Sequence, residues 1–228
     1  MKKIFFGLLI FSGFFSDAQI IRKYSNEFLN IGAGARGLAM GGAVISNQND
    51  VYSPMWNPAG LIDIDRDWQG AAMHAEYFES IAKYDYIAFA KPLDNKGGVF
   101  ALSIVRLGVD NILNTTQLID SEGNIDYDKI TSFSQSDYAA LLSYAFRPGS
   151  HRLSVGINAK MVYRNVGKFA SGYGFGFDLG VLYNADNGIN YGAMLRDATT
   201  TVNFWTVNQD ELSAVVNGEE FNPAPKDK

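Results

Sequence analysis

The chain has 228 residues, 47% of them hydrophobic and 14% aromatic, with 23 glycines, no cysteine and a formal net charge of −5. The acidic balance argues against nucleic acid as a partner, since that requires a basic face. The lack of cysteine excludes disulfides, thiolate metal sites and thiol nucleophiles.

Residues 1–18 read as a secretory signal peptide. Met1-Lys2-Lys3 is basic, Ile4 to Phe15 is apolar, and Ser16-Asp17-Ala18 ends small-x-small. The apolar run is shorter than the ~20 residues of a spanning helix, and none of that length follows Gln19. Loss of Lys2, Lys3 and Asp17 would leave 17 basic and 23 acidic residues, net −6.

The next stretch, Asn30 to Leu61, is rich in small residues. Gly32, Gly34, Gly37, Gly41, Gly42 and Gly60 fall among Ala and Met, so the backbone is expected to turn tightly or pack closely. Pro54 and Pro58 forbid a continuous helix across its end. Residues 19–66 are therefore expected to form a compact irregular segment that needs an enclosure. Gly32-Ala33-Gly34-Ala35-Arg36-Gly37 matches G-x-G-x-x-G, but no strand precedes it and Asp50 comes too early for the ribose acid. A dinucleotide cofactor is not expected, nor any other.

Residues 67–228 read as strands. From Phe169 to Ala185, Tyr173, Phe175, Phe177, Leu179, Val181 and Tyr183 alternate with Gly172, Gly174, Gly176, Asp178, Gly180 and Asn184. A row of large apolar residues set against a small or polar one is the pattern of a transmembrane β-barrel strand, lipid outside and lumen inside. A soluble sandwich also alternates, but does not explain glycine at every second position. From Arg152 to Arg164 the pattern repeats, and Arg152, Asn158, Lys160 and Arg164 are expected to face a wet lumen with Asp178. Asp178, Asp50, Asp63 and Asp65 are candidate partners for the cations Arg36, Arg152, Lys160 and Arg164; an anionic headgroup or a carboxylate terminus is the functional alternative.

Further strands are expected at Trp68–Phe78, Tyr84–Lys91, Gly98–Leu107, Asp137–Arg147 and Ile189 to about Phe204, seven in all. Turn signals fall at Asp94–Gly98, Arg147–Ser150 and Ala185–Gly188, and Gly108–Ser136 reads as a long polar loop. Bacterial single-chain barrels usually have an even strand number, so the chain is expected to hold part of a larger barrel. His74 and His151 fall on different strands, and the acidic run Asp120, Glu122, Asp126, Asp128 does not fit an EF-hand. No metal site or catalytic constellation is expected, and the chain is not expected to be an enzyme.

Phe28-Leu29-Asn30-Ile31-Gly32, Gly34-Ala35-Arg36-Gly37, Met40-Gly41-Gly42-Ala43 and Trp56-Asn57-Pro58-Ala59-Gly60-Leu61 resemble the N-terminal signature of the PorV/PorQ family, a Bacteroidota branch of the FadL-like outer-membrane barrels. The resemblance implies a 14-stranded antiparallel barrel with an N-terminal hatch or plug built on Asn57-Pro58-Ala59. It also implies a non-enzymatic role in type IX secretion, with outer-membrane lipid, the translocon barrel and cargo proteins bearing a C-terminal sorting domain as partners. Transport of hydrophobic small molecules, as in FadL-like relatives, is the alternative.

Overall fold

The computed structural model describes residues 26–65, 67–93, 97–119, 122–149, 152–199 and 202–208, with the backbone of 214–216 and 219–221. The expected signal peptide, His151 and Asp120 lie outside these residues.

Six long strands form an antiparallel meander: β1 (Gln69–Tyr77), β2 (Ala82–Pro92), β3 (Val99–Asn114), β4 (Thr131–Phe146), β5 (Leu153–Val166) and β6 (Ala170–Asn184). The sheet curls into a half-barrel. Its faces follow the alternation read in β6, where Gly172, Gly174, Gly176, Asp178 and Gly180 are buried and Tyr173, Phe175, Phe177, Leu179, Val181 and Tyr183 are exposed. Among the described residues, no helix is long and apolar enough to cross a membrane.

Three departures from the expected elements have physical causes. The strand expected from Ile189 to Phe204 is two, β7 (Asn190–Leu195) and β8 (Val202–Val207). Both pair with β6, β7 along Leu179–Asn184 and β8 along Ala170–Phe175. Arg196 and Asp197 leave the ladder between them, because their charged side chains reach partners on the concave side.

Both ends of the expected loop Gly108–Ser136 are strand. β3 and β4 stay paired out to Asn114 and Thr131, with a register shift between Val109 and Ile112. Polar residues such as Asp110 and Gln135 hide the alternation there while the backbone bonds continue. Finally, β1 and β2 join through Phe78, Glu79 and Ser80, all at positive φ without a glycine. A short hairpin of β9 (Ala214–Val216) and β10 (Glu219–Phe221) lies apart from the main sheet.

The outer face carries two aromatic rows. Tyr138, Tyr163 and Tyr173 stack along one, with centroids 6.3 and 4.8 Å apart. Trp68–Phe89, Phe100–Tyr144, Tyr144–Phe146 and Tyr183–Tyr191 mark the other. Exposed Ile87, Leu102, Ile104, Leu142, Met161, Phe175, Phe177 and Leu179 fill the band between.

The concave face is covered by residues 26–65, which form short turns of helix at Glu27–Asn30, Ala35–Ala39, Ser53–Trp56 and Pro58–Asp63. Their core is Trp56. Gly32 and Gly37 lie against its ring, where a Cβ would come within 2.4 and 2.7 Å, and its Nε1 donates to the Ala33 carbonyl at 2.7 Å. Gly34 packs similarly on Tyr52, and Gly60 on the Gln48 carbonyl. Gly41 is different: nothing lies near it, and only its φ of +62° calls for glycine.

Candidate functional site at the joint of segment and sheet

Two fastenings hold the N-terminal segment to the sheet. The first centres on Asn57, which is fully buried. Its side-chain oxygen accepts from the Ala59 N–H at 3.1 Å, which starts the Pro58–Asp63 turn. Its amide donates to the Ile45 carbonyl at 3.0 Å and to Val181 on β6 at 3.1 Å, with Ala193 on β7 at 3.5 Å. One side chain thus ties two parts of the segment to two strands.

This contact depends on inward glycines in adjacent strands. A Cβ on Gly180 would sit 2.1 Å from Asn57 Oδ1, and one on Gly156 would sit 2.3 Å from the Ala59 nitrogen. Gly192 meets the Ile45 carbonyl in the same way at 2.7 Å. Gly156 thus seats the Pro58-Ala59 backbone, Gly180 the Asn57 and Pro58 side chains, and Gly192 the Ile45-Ser46 backbone. At the far side, Tyr86 Oη donates to the Val51 carbonyl at 3.0 Å, and the Tyr52 ring stacks on Tyr86 at 5.3 Å. Burial pushes the Tyr52 hydroxyl above its ordinary pKa, and the charge of Asp50 adds to the effect.

The second fastening is built on a buried ion cluster of the wall. Lys160 is only 4% exposed, and its Nζ lies 2.6 Å from Asp178 Oδ1 and 2.7 Å from Asp197 Oδ1. Asn158 donates to Asp178 at 3.2 Å and to the Pro54 carbonyl at 2.9 Å, joining the strand charges to the segment. Asp197, at φ +51°, turns its N–H onto Asp178 Oδ1 at 2.9 Å and accepts from Asn26 at 3.1 Å. Beside it, Arg196 donates to Asn30 Oδ1 at 2.7 Å and to the Met55 carbonyl. The break between β7 and β8 is therefore a clasp, with Asp197 holding both the wall and Asn26 and with Arg196 holding the segment. The adjoining cavity, lined by Asn26, Lys160, Asp178, Arg196 and Asp197 among others, is about 20 Å³, room for about one water.

The expected lumen cations separate here. Lys160 faces inward but is dry, because the segment covers it. Arg152 lies in the turn before β5, half exposed, and pairs with Asp186 at 2.6 Å rather than facing the concave side. Arg164 lies 5.8 Å over the Phe28 ring, opposite Asp137 in register. Arg36 is exposed. Of the segment's acids, Asp63 pairs with Arg147 and Asp50 bonds Gln48 and the Tyr52 N–H. Asp197, Arg196 and Asn26 escaped sequence reasoning, because nothing in their spacing marks a broken strand.

Among the described residues, no three His, Asp or Glu side chains are grouped to hold a metal ion. Comparison with protein-family models, curated proteins and solved structures returns no match.

Proposed function

We propose that the protein is an exported, non-enzymatic outer-membrane β-barrel of the PorV/PorQ type, in which residues 26–65 act as a hatch. In this reading it serves type IX secretion by binding the translocon or cargo proteins. The observation that carries it is the segment fastened to a half-barrel through Asn57 and through Asn158 and Arg196, with an outside that is apolar between two aromatic rows. Tyr173 and Tyr183 are ten residues apart on β6, or about 33 Å along the strand. At the tilt of outer-membrane barrels this is a height of roughly 25 Å, matching their apolar band. Aromatic girdles outside are a feature such a wall requires, and the polar inward residues Ser154, Asn158, Lys160 and Asp178 gather on β5 and β6.

Deleting the gene and comparing secreted with cell-retained proteins tests the secretion role. Retention of a set of normally secreted proteins is the expected result; unchanged secretion overturns it. The same strain tests transport of hydrophobic molecules. Lost uptake of a labelled fatty acid with intact secretion would replace the secretion reading with the transporter one.

A further inference from the structure

The turn joining β6 to β7, Ala185-Asp186-Asn187-Gly188, carries reactive chemistry of its own. Asn-Gly occurs twice in the chain, at Asn187 and at Asn217; the second lies outside the described residues. Glycine has no Cβ, so its backbone nitrogen is the least shielded of any residue's. A side-chain amide one position before it is open to attack from within the chain.

The fold leaves that attack unobstructed. Asp186, Asn187 and Gly188 are exposed, and nothing lies within 4 Å of the place a Cβ on Gly188 would take. The Asn187 side chain folds back along the following backbone, where its Oδ1 accepts from the Ile189 N–H at 3.1 Å. This bond draws electron density from Cγ and keeps the side chain turned toward residue 188. The Gly188 N–H donates to the Ala185 carbonyl at 3.1 Å, a bond that water replaces readily in an exposed turn. Other asparagines lack the combination. Asn184 and Asn190 are register partners in the β6–β7 ladder and precede Ala185 and Tyr191. Asn124 is exposed but precedes Ile125, whose branched Cβ shields the nitrogen.

We propose that Asn187 deamidates spontaneously and that its isoaspartyl product slackens the Asn57 fastening. The Gly188 nitrogen gives its proton to hydroxide and bonds to Asn187 Cγ. The Cγ–Nδ2 bond breaks, and the nitrogen takes a proton from water and leaves as ammonia. Water then opens the succinimide at either carbonyl. One opening gives aspartate; the other gives isoaspartate, whose main chain runs through the former side chain and is one carbon longer. Both place a carboxylate beside Asp186, whose own is held by Arg152 at 2.6 Å. The added length falls in the hairpin that aligns β7 with β6. Val181 and Ala193, whose carbonyls meet the Asn57 amide, are register partners in that ladder, so a shift there reaches the fastening.

The test is peptide mapping by mass spectrometry of the membrane-purified protein, fresh and after days at mildly alkaline pH. Asn187 should gain about 1 Da and split into aspartyl and isoaspartyl forms. Conversion should be about tenfold faster than at Asn124 and should quicken as pH rises. Limited proteolysis should then cut residues 26–65 sooner in aged than in fresh wild type. The same ageing should change Asn187→Gln less, because the longer side chain closes a larger ring and stays unconverted. Asn217 is present in both proteins, so the difference belongs to Asn187. An unconverted Asn187, conversion no faster than at Asn124, or an equal change in proteolysis on ageing the two proteins overturns the proposal.

Discussion

The two fastenings do the same job by opposite means. Asn57 works by shape: neutral hydrogen bonds, no charge, and glycines that bring backbone against backbone. The Lys160 clasp works by charge, with one buried ammonium between the carboxylates of Asp178 on β6 and Asp197 in the break after β7. A neutral contact of this kind fails when atoms are added. A buried ionic one fails when a partner is removed, because the remaining charge stays desolvated.

Substitutions can break that contrast in order of size. Lys160→Met leaves Asp178 buried without its cation and should cost about 3–5 kcal/mol. Thermal unfolding checks this, and Lys160→Met with Asp178→Leu should recover part of the loss, since the charge left behind, Asp197, is the more exposed of the two carboxylates. Gly180→Val drives its Cβ into Asn57, and the expected cost is about 3 kcal/mol, the upper end for overpacking. Limited proteolysis should then cut residues 26–65 before the strands.

Asn57→Ala removes bonds to both strands and the turn, for about 2 kcal/mol; midpoint shifts that add with those of Arg196→Gln would show the two fastenings to be independent. Arg196→Gln should cost about 1.5 kcal/mol through its lost charged bonds to Asn30 and Met55. Arg36→Gln, on an exposed side chain, should stay within about 0.5 kcal/mol.

The shape-based fastening was the more legible in sequence. Small residues before and after Trp56 announced close packing, and Gly156 and Gly180 stood out opposite large apolar neighbours. The strands showed for the same reason: inside and outside differ chemically, and a strand reports that difference at every second residue. Where the two faces stopped differing, legibility ended. The outer reaches of β3 and β4 mix polar and apolar residues without alternation, as in Val109-Asp110-Asn111-Ile112-Leu113-Asn114, and read as loop. The Phe78-Glu79-Ser80 turn carries no glycine to mark it. Arg196 and Asp197 were hidden for a further reason. Their meaning depends on Lys160 and Asn30, far away in sequence, and only the folded sheet brings those residues together.

If residues 26–65 close a membrane barrel, conductance across a planar bilayer depends on how firmly they are held. The membrane-purified wild-type protein should hold the bilayer near its resting conductance, while Asn57→Ala with Pro58→Ala should open frequent, larger steps as the segment loosens. Equal conductance in the two proteins would contradict the account.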